Sequence, residues 1–344
     1  MQVVQTLVLC AAMISAVPAA VPPSAPTESI ALPDGARGIG FDDVQYGPGL
    51  KRILVPAGRT GRLVVIEPAT KAMTSIGGFS STTSFKGGHG EGTTSAAELD
   101  GAAGLVVAID RGSRTLKLAD VKRSAIVASV KLAAGPDYVR VVPGTREVWV
   151  TEPSRKKIEV FRSDAAGTRL SHVTDIAVPD GPESLVIDAV RRRAYSHTWT
   201  DQSFAIDLDG HKLLSAWPNG CRQSRGIALD EKRGFLFAGC AEGKATLVDL
   251  RTLKVVSAAD AGADIDSVAF GAALGHLYVP GGGSADLSIF GVSSAGRLTL
   301  LGRATTAADA HTAAFDPFTR TVFVGAPAHG AVLAIHDPFS SSLE

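Results

Sequence analysis

Several of the usual sequence signatures of function are missing from this chain of 344 residues. Lys+Arg and Asp+Glu both number 34, so the formal net charge is zero, which argues against the basic surface of a nucleic-acid-binding protein. The sequence has no G-x-S-x-G or H-E-x-x-H motif. Its glycine-rich stretch Phe79–Gly92, FSSTTSFKGGHGEG, lacks the GK[ST] ending of a phosphate-binding loop. No reaction class is therefore indicated by a motif.

Long apolar runs are also scarce. The run Val3–Val17 is uncharged but too short to span a bilayer comfortably, and Val17-Pro18-Ala19 offers small residues for cleavage after Ala19 or Ala20. We predict a signal peptide over residues 1–20, a Pro-rich linker over 21–28, and a periplasmic or secreted mature chain without a transmembrane segment.

What the sequence does contain is a repeated pattern of short apolar runs. The segment Ser224–Val256, SRGIALDEKRGFLFAGCAEGKATLVDLRTLKVV, has three such runs and the start of a fourth, separated by polar, glycine-containing turns. This spacing is typical of an antiparallel sheet of four strands.

The pattern recurs seven times. Its third run begins at Arg62, Arg114, Lys157, Ser203, Ala245, Asp286 and Ala331. We place the ends of the first run at Asp42, Asp100, Pro143, Asp188, Asp230, Gly271 and Asp316. The period of about 45 residues is that of a propeller blade. The sequence therefore predicts an all-β, seven-bladed β-propeller over residues 29–339, with residues 340–344 as a C-terminal tail.

The last copy stops after its third run, near His336–Phe339. The N-terminal segment SIALPDG, Ser29–Gly35, matches the fourth run of other copies. We expect this segment to supply the outer strand of the last blade, so that pairing between the two ends of the chain closes the ring.

The repeats resemble those of YVTN-type, YncE-like propeller proteins. The segments FDPFTRTVFVGA, GIALDEKRGFLFAG and GHLYVPGG carry the resemblance, although no copy has the full Y-V-A-N ending. The resemblance covers about Ser29 to Phe339. It implies the architecture but not a single function, because propellers serve as binding modules and as enzymes.

Two cysteines remain in the mature chain, because cleavage of the predicted signal peptide removes Cys10. Cys221 precedes the first strand of the fifth blade, and Cys240 ends the second strand of that blade. In an oxidising compartment we expect a disulfide between them. Counting from the turn places Cys240 opposite about Arg225, so free thiols or metal ligands stay open as alternatives.

The loops that join successive blades and the loops between second and third strands open on one face, where propellers usually bind ligands. This placement brings four of the eight histidines to one rim: His89, His197, His311 and His329. Such histidines can be hydrogen-bonding loop residues. Alternatively, His89, Glu91 and His311 can hold a divalent metal, the candidate cofactor.

Other rim residues suggest two further roles. For acid–base chemistry on an acidic sugar or a lactone, the candidates are His197, Tyr138 and Arg140. For ligand binding, the candidates are Arg37, Glu183, Arg225, Asp266 and Trp199. Trp199 either stacks on a ligand or packs on the adjacent loop.

We predict a monomeric binding propeller that holds a small molecule, metal or partner protein on the channel rim. A lactonase- or lyase-type enzyme, with or without a divalent metal, is the alternative. The sequence identifies neither the ligand nor the reaction.

Overall fold

The computed structural model describes residues 27–343 as a ring of seven four-stranded antiparallel sheets. Strands β1 to β14 are Thr27–Ala31, Gln45–Gly47, Arg52–Pro56, Leu63–Ile66, Met73–Ile76, Thr93–Asp100, Leu105–Asp110, Thr115–Asp120, Ala125–Lys131, Val139–Val142, Glu147–Glu152, Lys157–Ser163, Leu170–Ala177 and Glu183–Asp188. Strands β15 to β28 are Arg193–His197, Gln202–Asp207, Lys212–Pro218, Ser224–Asp230, Phe235–Cys240, Lys244–Asp249, Lys254–Asp260, Ala269–Gly271, His276–Gly281, Asp286–Val292, Leu298–Thr305, Ala313–Asp316, Thr321–Ala326 and Ala331–His336.

In the first six blades the strands follow one another outward from the centre in chain order. In the seventh blade β26, β27 and β28 are followed by the N-terminal strand β1. The first strands of neighbouring blades contact one another and surround a central channel. The second and third strands are almost wholly buried, whereas the fourth strands are mainly exposed. Three 3-10 turns, Gly35–Arg37, Pro153–Arg155 and Pro327–His329, lie in the loops. None of the helices in the described part of the chain is long and apolar enough to cross a membrane.

The N-terminal strand closes the ring, as the sequence predicts. β1 pairs with β28 in the seventh blade, with Thr27 opposite Ile335 and Ala31 opposite Ala331. The strand begins two residues before the predicted start at Ser29. Closure leaves neither terminal blade with an apolar face in water. The predicted signal peptide, and most of the predicted linker, lie outside the described residues.

Apolar clusters fill the spaces between blades. Tyr138 and Trp149 of the third blade pack with Phe204 of the fourth, and Trp217 packs with Leu236 of the fifth. Such interblade packing fixes each blade relative to the next, and it therefore fixes the loops at the ends of the channel.

One predicted strand end is wrong. The sequence pattern places the end of the first run at Asp42, but the innermost strand of the first blade is β2, which ends at Gly47. Ile39 and Phe41 gave an apolar pattern like that of a strand. They are instead buried loop residues in the cluster between the seventh and first blades. Asp42 consequently lies before β2, at the end of the channel.

Candidate functional site

The channel mouth, on the face where the blade-joining loops lie, is built from equivalent positions of consecutive blades. In the fourth, fifth, sixth, seventh and first blades, the residue five positions before the end of the innermost strand is Glu183, Arg225, Asp266, His311 and Asp42, respectively. Because the blades repeat one backbone geometry, these side chains converge on one opening.

His89, Asp266 and His311 form the tightest cluster of possible metal ligands in the mouth. One donor atom from each lies within 4.8 Å of the others. The carboxylate Oδ2 of Asp266 is 3.9 Å from Nε2 of His89 and 3.7 Å from Nε2 of His311. The two imidazole centroids are 5.2 Å apart. Asp266 Oδ2 is buried and has no hydrogen-bond partner among the described residues.

The loop 79–92 carries His89 into the mouth from the first blade. A close approach between Gly40 and Gly88 holds this part of the loop, since a Cβ on Gly40 would collide with the Gly88 carbonyl. Farther back, the amide of Thr82 donates to the Arg59 carbonyl at 2.9 Å. The loop 79–92, which has no counterpart in the other repeats, thus has a defined position over the channel.

Asp42 lies directly behind His89. Its Oδ1 is 3.1 Å from Nδ1 of His89, an ion-pair distance without hydrogen-bond alignment, and its Oδ2 accepts a 2.7 Å hydrogen bond from Arg111. Burial acts to raise the pKa of Asp42, but Arg111 and His89 together lower it well below the usual range. The charge of Asp42 in turn raises the pKa of His89 to about 9, against the effect of burial. Arg111 also pairs with Asp137.

Glu183 and Trp199 lie on the opposite side of the mouth. Glu183 is 7% exposed, and its carboxylate accepts a hydrogen bond from the indole N–H of Trp199. Burial, reinforced by the negative charge of Asp266, raises the pKa of Glu183 to about 8. Trp199 itself is 47% exposed, so one polar contact fixes its ring while much of its surface stays open.

Arg225 is next to this pair. Its Nη1 donates to the Ser224 carbonyl at 2.9 Å and lies 3.5 Å from the Trp199 carbonyl. Among residues 27–343, no carboxylate lies within 4 Å of its guanidinium. It is therefore a half-buried cation at the rim with no ion pair among the described residues, although its charge acts to lower the pKa of the nearby Glu183.

Tyr138 lies beneath the rim and is 1% exposed. Its hydroxyl has no hydrogen-bond partner within the described chain. Burial raises its pKa well above the ordinary value, and the nearby charges of Asp42, Asp266 and Glu183 add to the shift. The hydroxyl is thus a buried polar group close to the acidic residues of the mouth.

The other two residues predicted for acid–base chemistry are engaged elsewhere. Arg140 binds Asp43 through two hydrogen bonds of 2.6 and 3.0 Å. His197 has no exposed surface; its Nδ1 lies 2.9 Å from the Ser203 hydroxyl and its Nε2 lies 3.2 Å from the Gly226 carbonyl. Burial lowers the pKa of His197 to about 4. The structure does not present His197 to the channel.

Three more predicted rim residues lie outside the cluster. Glu91 accepts a 2.8 Å hydrogen bond from the Thr82 hydroxyl, and Arg37 donates to the Thr83 carbonyl at 3.2 Å. His329 is exposed at the end of a 3-10 turn. Asp266, which the sequence predicted only as a ligand-binding residue, is the third member of the cluster with His89 and His311, in place of the predicted Glu91.

A disulfide joins Cys221 to Cys240, with their Cα atoms 5.3 Å apart. Cys240 pairs with Ser224, one residue from the predicted position, because a β-bulge shifts the register between Ser224 and Ile227. The disulfide ties the segment before β18 to the end of β19, close to the strand that carries Arg225.

Below the mouth, the channel contains a cavity of about 470 Å³. Apolar side chains of the innermost strands supply most of its wall, and Arg140 is among the few charged residues there. Charged side chains are thus concentrated at the mouth, whereas the residues around this cavity are mainly apolar types.

Comparisons with known proteins support the architecture. No protein-family model matches the sequence. A chain of the Kuenenia stuttgartiensis hydrazine synthase superposes with a TM-score of 0.70 at 11% identity, covering 88% of this chain and 96% of its own. A chain of a mitotic checkpoint complex gives 0.72 at 12% identity, covering 98% and 99%. At these identities, the likeness extends to the fold alone.

The sequence pattern missed Asp42, which it took for a strand end, and Asp137. It places Arg111 in a rim loop but assigns it no role. Asp42 precedes the end of β2 by the same five residues that separate Asp266 from the end of β22. Aligning Gly47 with Gly271 would have revealed this equivalence.

Proposed function

We propose that this protein is a binding propeller that holds a divalent transition-metal ion at the channel mouth between His89, Asp266 and His311. The observation that carries the proposal is the convergence of three donor side chains from separate loops within 4.8 Å, with an unpartnered buried oxygen on Asp266. Two imidazoles and one carboxylate suit zinc or ferrous iron better than calcium or magnesium, which prefer oxygen ligands.

The distances require a modest closure of the cluster. Ligands at about 2.0–2.2 Å from a tetrahedral metal are roughly 3.3 Å apart. The separations of 3.7 and 3.9 Å at Asp266 would therefore shorten by about half an ångström. Nε2 of His311 also donates a 2.8 Å hydrogen bond to the Phe41 carbonyl. His311 would lose this hydrogen bond if it bound the metal through Nε2.

Asp42 would support the metal indirectly, through its contact with His89. Buried carboxylates behind a metal-binding histidine orient its ring and raise its basicity. Asp42 lies behind Nδ1 of His89 and leaves Nε2 towards Asp266. Arg111 compensates the remaining charge of Asp42.

Metal titration of the chelator-treated mature protein tests the proposal. We expect one equivalent of Zn²⁺ to bind, with calcium and magnesium far weaker. Asp266→Asn and His89→Ala should each weaken Zn²⁺ binding at least tenfold with little change in melting temperature. Equal affinity in both variants and the parent protein would overturn the proposal.

His172→Ala is the matched control. His172 belongs to a second cluster of three donors, with Glu159 and Asp175, on the outer part of the third blade. The ammonium of Lys157 already lies 3.1 Å from Glu159 and 2.9 Å from Asp175, so this cluster has a cation of its own. We expect His172→Ala to bind Zn²⁺ like the parent protein.

An enzymatic role is the second candidate, and Glu183 favours it. In the metal-free protein Glu183 is a buried carboxyl with a pKa of about 8, a range in which a side chain can transfer a proton near neutral pH. A metal held by Asp266 in the same mouth would offer open positions to a substrate. Lactone hydrolysis and β-elimination on an acidic sugar are the reactions to assay, with metal-loaded protein and Glu183→Gln. No turnover by the metal-loaded protein would leave the binding role alone.

The proposed family and compartment rest on the sequence. The repeat pattern supports a YncE-like propeller, and the N-terminal apolar segment supports export to the periplasm or medium. The Cys221–Cys240 disulfide agrees with an oxidising compartment. Fractionation with N-terminal sequencing tests export: a mature chain beginning at Ala20 or Val21 is expected, and an intact cytoplasmic chain would contradict it.

A further inference from the structure

Arg225 differs from Arg111 and Arg140, the other arginines at the mouth, because it forms no ion pair with a carboxylate of the described residues. Arg111 pairs with Asp42 and Asp137, and Arg140 pairs with Asp43. Within the described part of the chain, Arg225 donates only to backbone carbonyls, through Nη1, which leaves Nε and Nη2 for another acceptor. A half-buried guanidinium of this kind is suited to donating two parallel hydrogen bonds to a carboxylate.

Trp199 supplies an apolar surface beside this cation. Its indole N–H is bound to Glu183, which fixes the ring, and its backbone carbonyl lies next to Nη1 of Arg225. The other two tryptophans, Trp149 and Trp217, are buried between blades. Exposed, fixed aromatic rings at a rim favour stacking on a flat ligand.

The ring order places Arg225 next to the proposed metal. Arg225 occupies the fifth blade, between Glu183 of the fourth and Asp266 of the sixth, at the equivalent position. A carboxylate seated in this sector can therefore meet Arg225 on one side and a cation bound to Asp266 on the other.

Tyr138 gives an independent indication that the mouth accommodates a polar ligand. Its hydroxyl is almost completely buried, lies near Asp42, Asp266 and Glu183, and lacks a partner among residues 27–343. A buried hydroxyl without a hydrogen bond is unfavourable, so an acceptor or water that enters the mouth would satisfy it.

We infer that the mouth binds a ring-bearing carboxylate, with its carboxylate between Arg225 and the metal held by His89, Asp266 and His311, and its ring on Trp199. The inference rests on the proposed metal site and adds the class of its ligand.

Titration of Zn²⁺-loaded protein with benzoate and galacturonate tests this inference, with benzyl alcohol and galactose as neutral counterparts. Calorimetry gives the affinity, and Trp199 fluorescence reports the position of the ring. We expect at least one carboxylate to bind at least tenfold more tightly than its neutral counterpart. Binding of the carboxylate should quench the tryptophan fluorescence, and this quenching should be absent in Trp199→Phe.

Arg225→Ala should weaken carboxylate binding at least tenfold while Zn²⁺ affinity stays unchanged. Arg251→Ala is the matched control, because Arg251 is exposed in the turn after β20, on the opposite face, beside Asp249. Binding by Arg225→Ala as tight as by the parent protein would overturn the inference.

Failure of the inferred ligand class can be distinguished from failure of the proposed metal site. Protein that binds Zn²⁺ but neither carboxylate would refute the ligand class and leave the metal site intact. Protein that binds no Zn²⁺ would refute the proposed function, and carboxylate binding by that metal-free protein, abolished in Arg225→Ala, would show that the anion site does not need the metal.

Discussion

The imidazole rings of His89 and His311 lie next to each other in the channel mouth with their centroids 5.2 Å apart, although one lies in the long loop 79–92 and the other in the loop before the seventh blade. Asp266 lies within 4 Å of both rings. Ring closure brings the seventh blade beside the first, so the proximity depends on the whole propeller and on no local motif.

Gly40→Ala should weaken metal binding without changing any proposed ligand. A Cβ at Gly40 would collide with the Gly88 carbonyl and push His89 away from Asp266. We expect a Zn²⁺ affinity at least tenfold lower, measured by calorimetry. Gly135→Ala, where a Cβ meets nothing within 4 Å, is the matched control and should bind normally. Unchanged affinity in Gly40→Ala would mean that the loop adapts or that His89 is not a ligand.

The propeller could be predicted from the sequence because each blade repeats the alternation of apolar run and turn. Completion of the last blade by the N-terminal segment could also be predicted, since the final copy lacks its fourth run. The site could be predicted only in part. His89 and His311 share a rim by topology, but their separation depends on blade packing. The burial of His197 depends on a contact with Gly226 of the next blade, which no local pattern shows.

Glu183→Gln should change how stability depends on pH. The folded-state pKa of about 8 exceeds the ordinary value of 4.5, so the folded protein holds this proton more tightly than the unfolded chain. The resulting stabilisation is complete below about pH 4.5 and is lost as pH rises through 8. The parent protein should therefore lose at least about 2 °C in Tm relative to Glu183→Gln between pH 5 and 8.5.

These melting curves require a chelator, so that metal binding does not contribute. Glu28→Gln, at an exposed position of β1, is the control and should follow the parent protein at every pH. Parallel curves for Glu183→Gln and the parent protein would show that Glu183 ionises normally in the folded state.

Removing the disulfide should destabilise the fold. Cys221 and Cys240 are 19 residues apart in sequence, and closing a loop of this size restricts the unfolded chain by about 3 kcal/mol. The variant with both cysteines replaced by serine should lose a similar free energy of unfolding in urea. The parent protein in dithiothreitol should resemble that variant, and the variant should not respond to reductant. Equal midpoints for the oxidised and reduced parent protein would contradict the prediction.

Ile30→Ala tests how much the N-terminal strand contributes to closing the ring. Ile30 is the buried residue of β1 and packs in the cluster between the seventh and first blades. Removing its side chain should cost about 2–4 kcal/mol in the free energy of unfolding. Glu28→Ala, two residues earlier and exposed, should cost less than about 0.5 kcal/mol. If closure also positions the mouth, Ile30→Ala should weaken Zn²⁺ binding while Glu28→Ala does not. Similar urea midpoints for the two variants would show that the outer strand contributes little to stability.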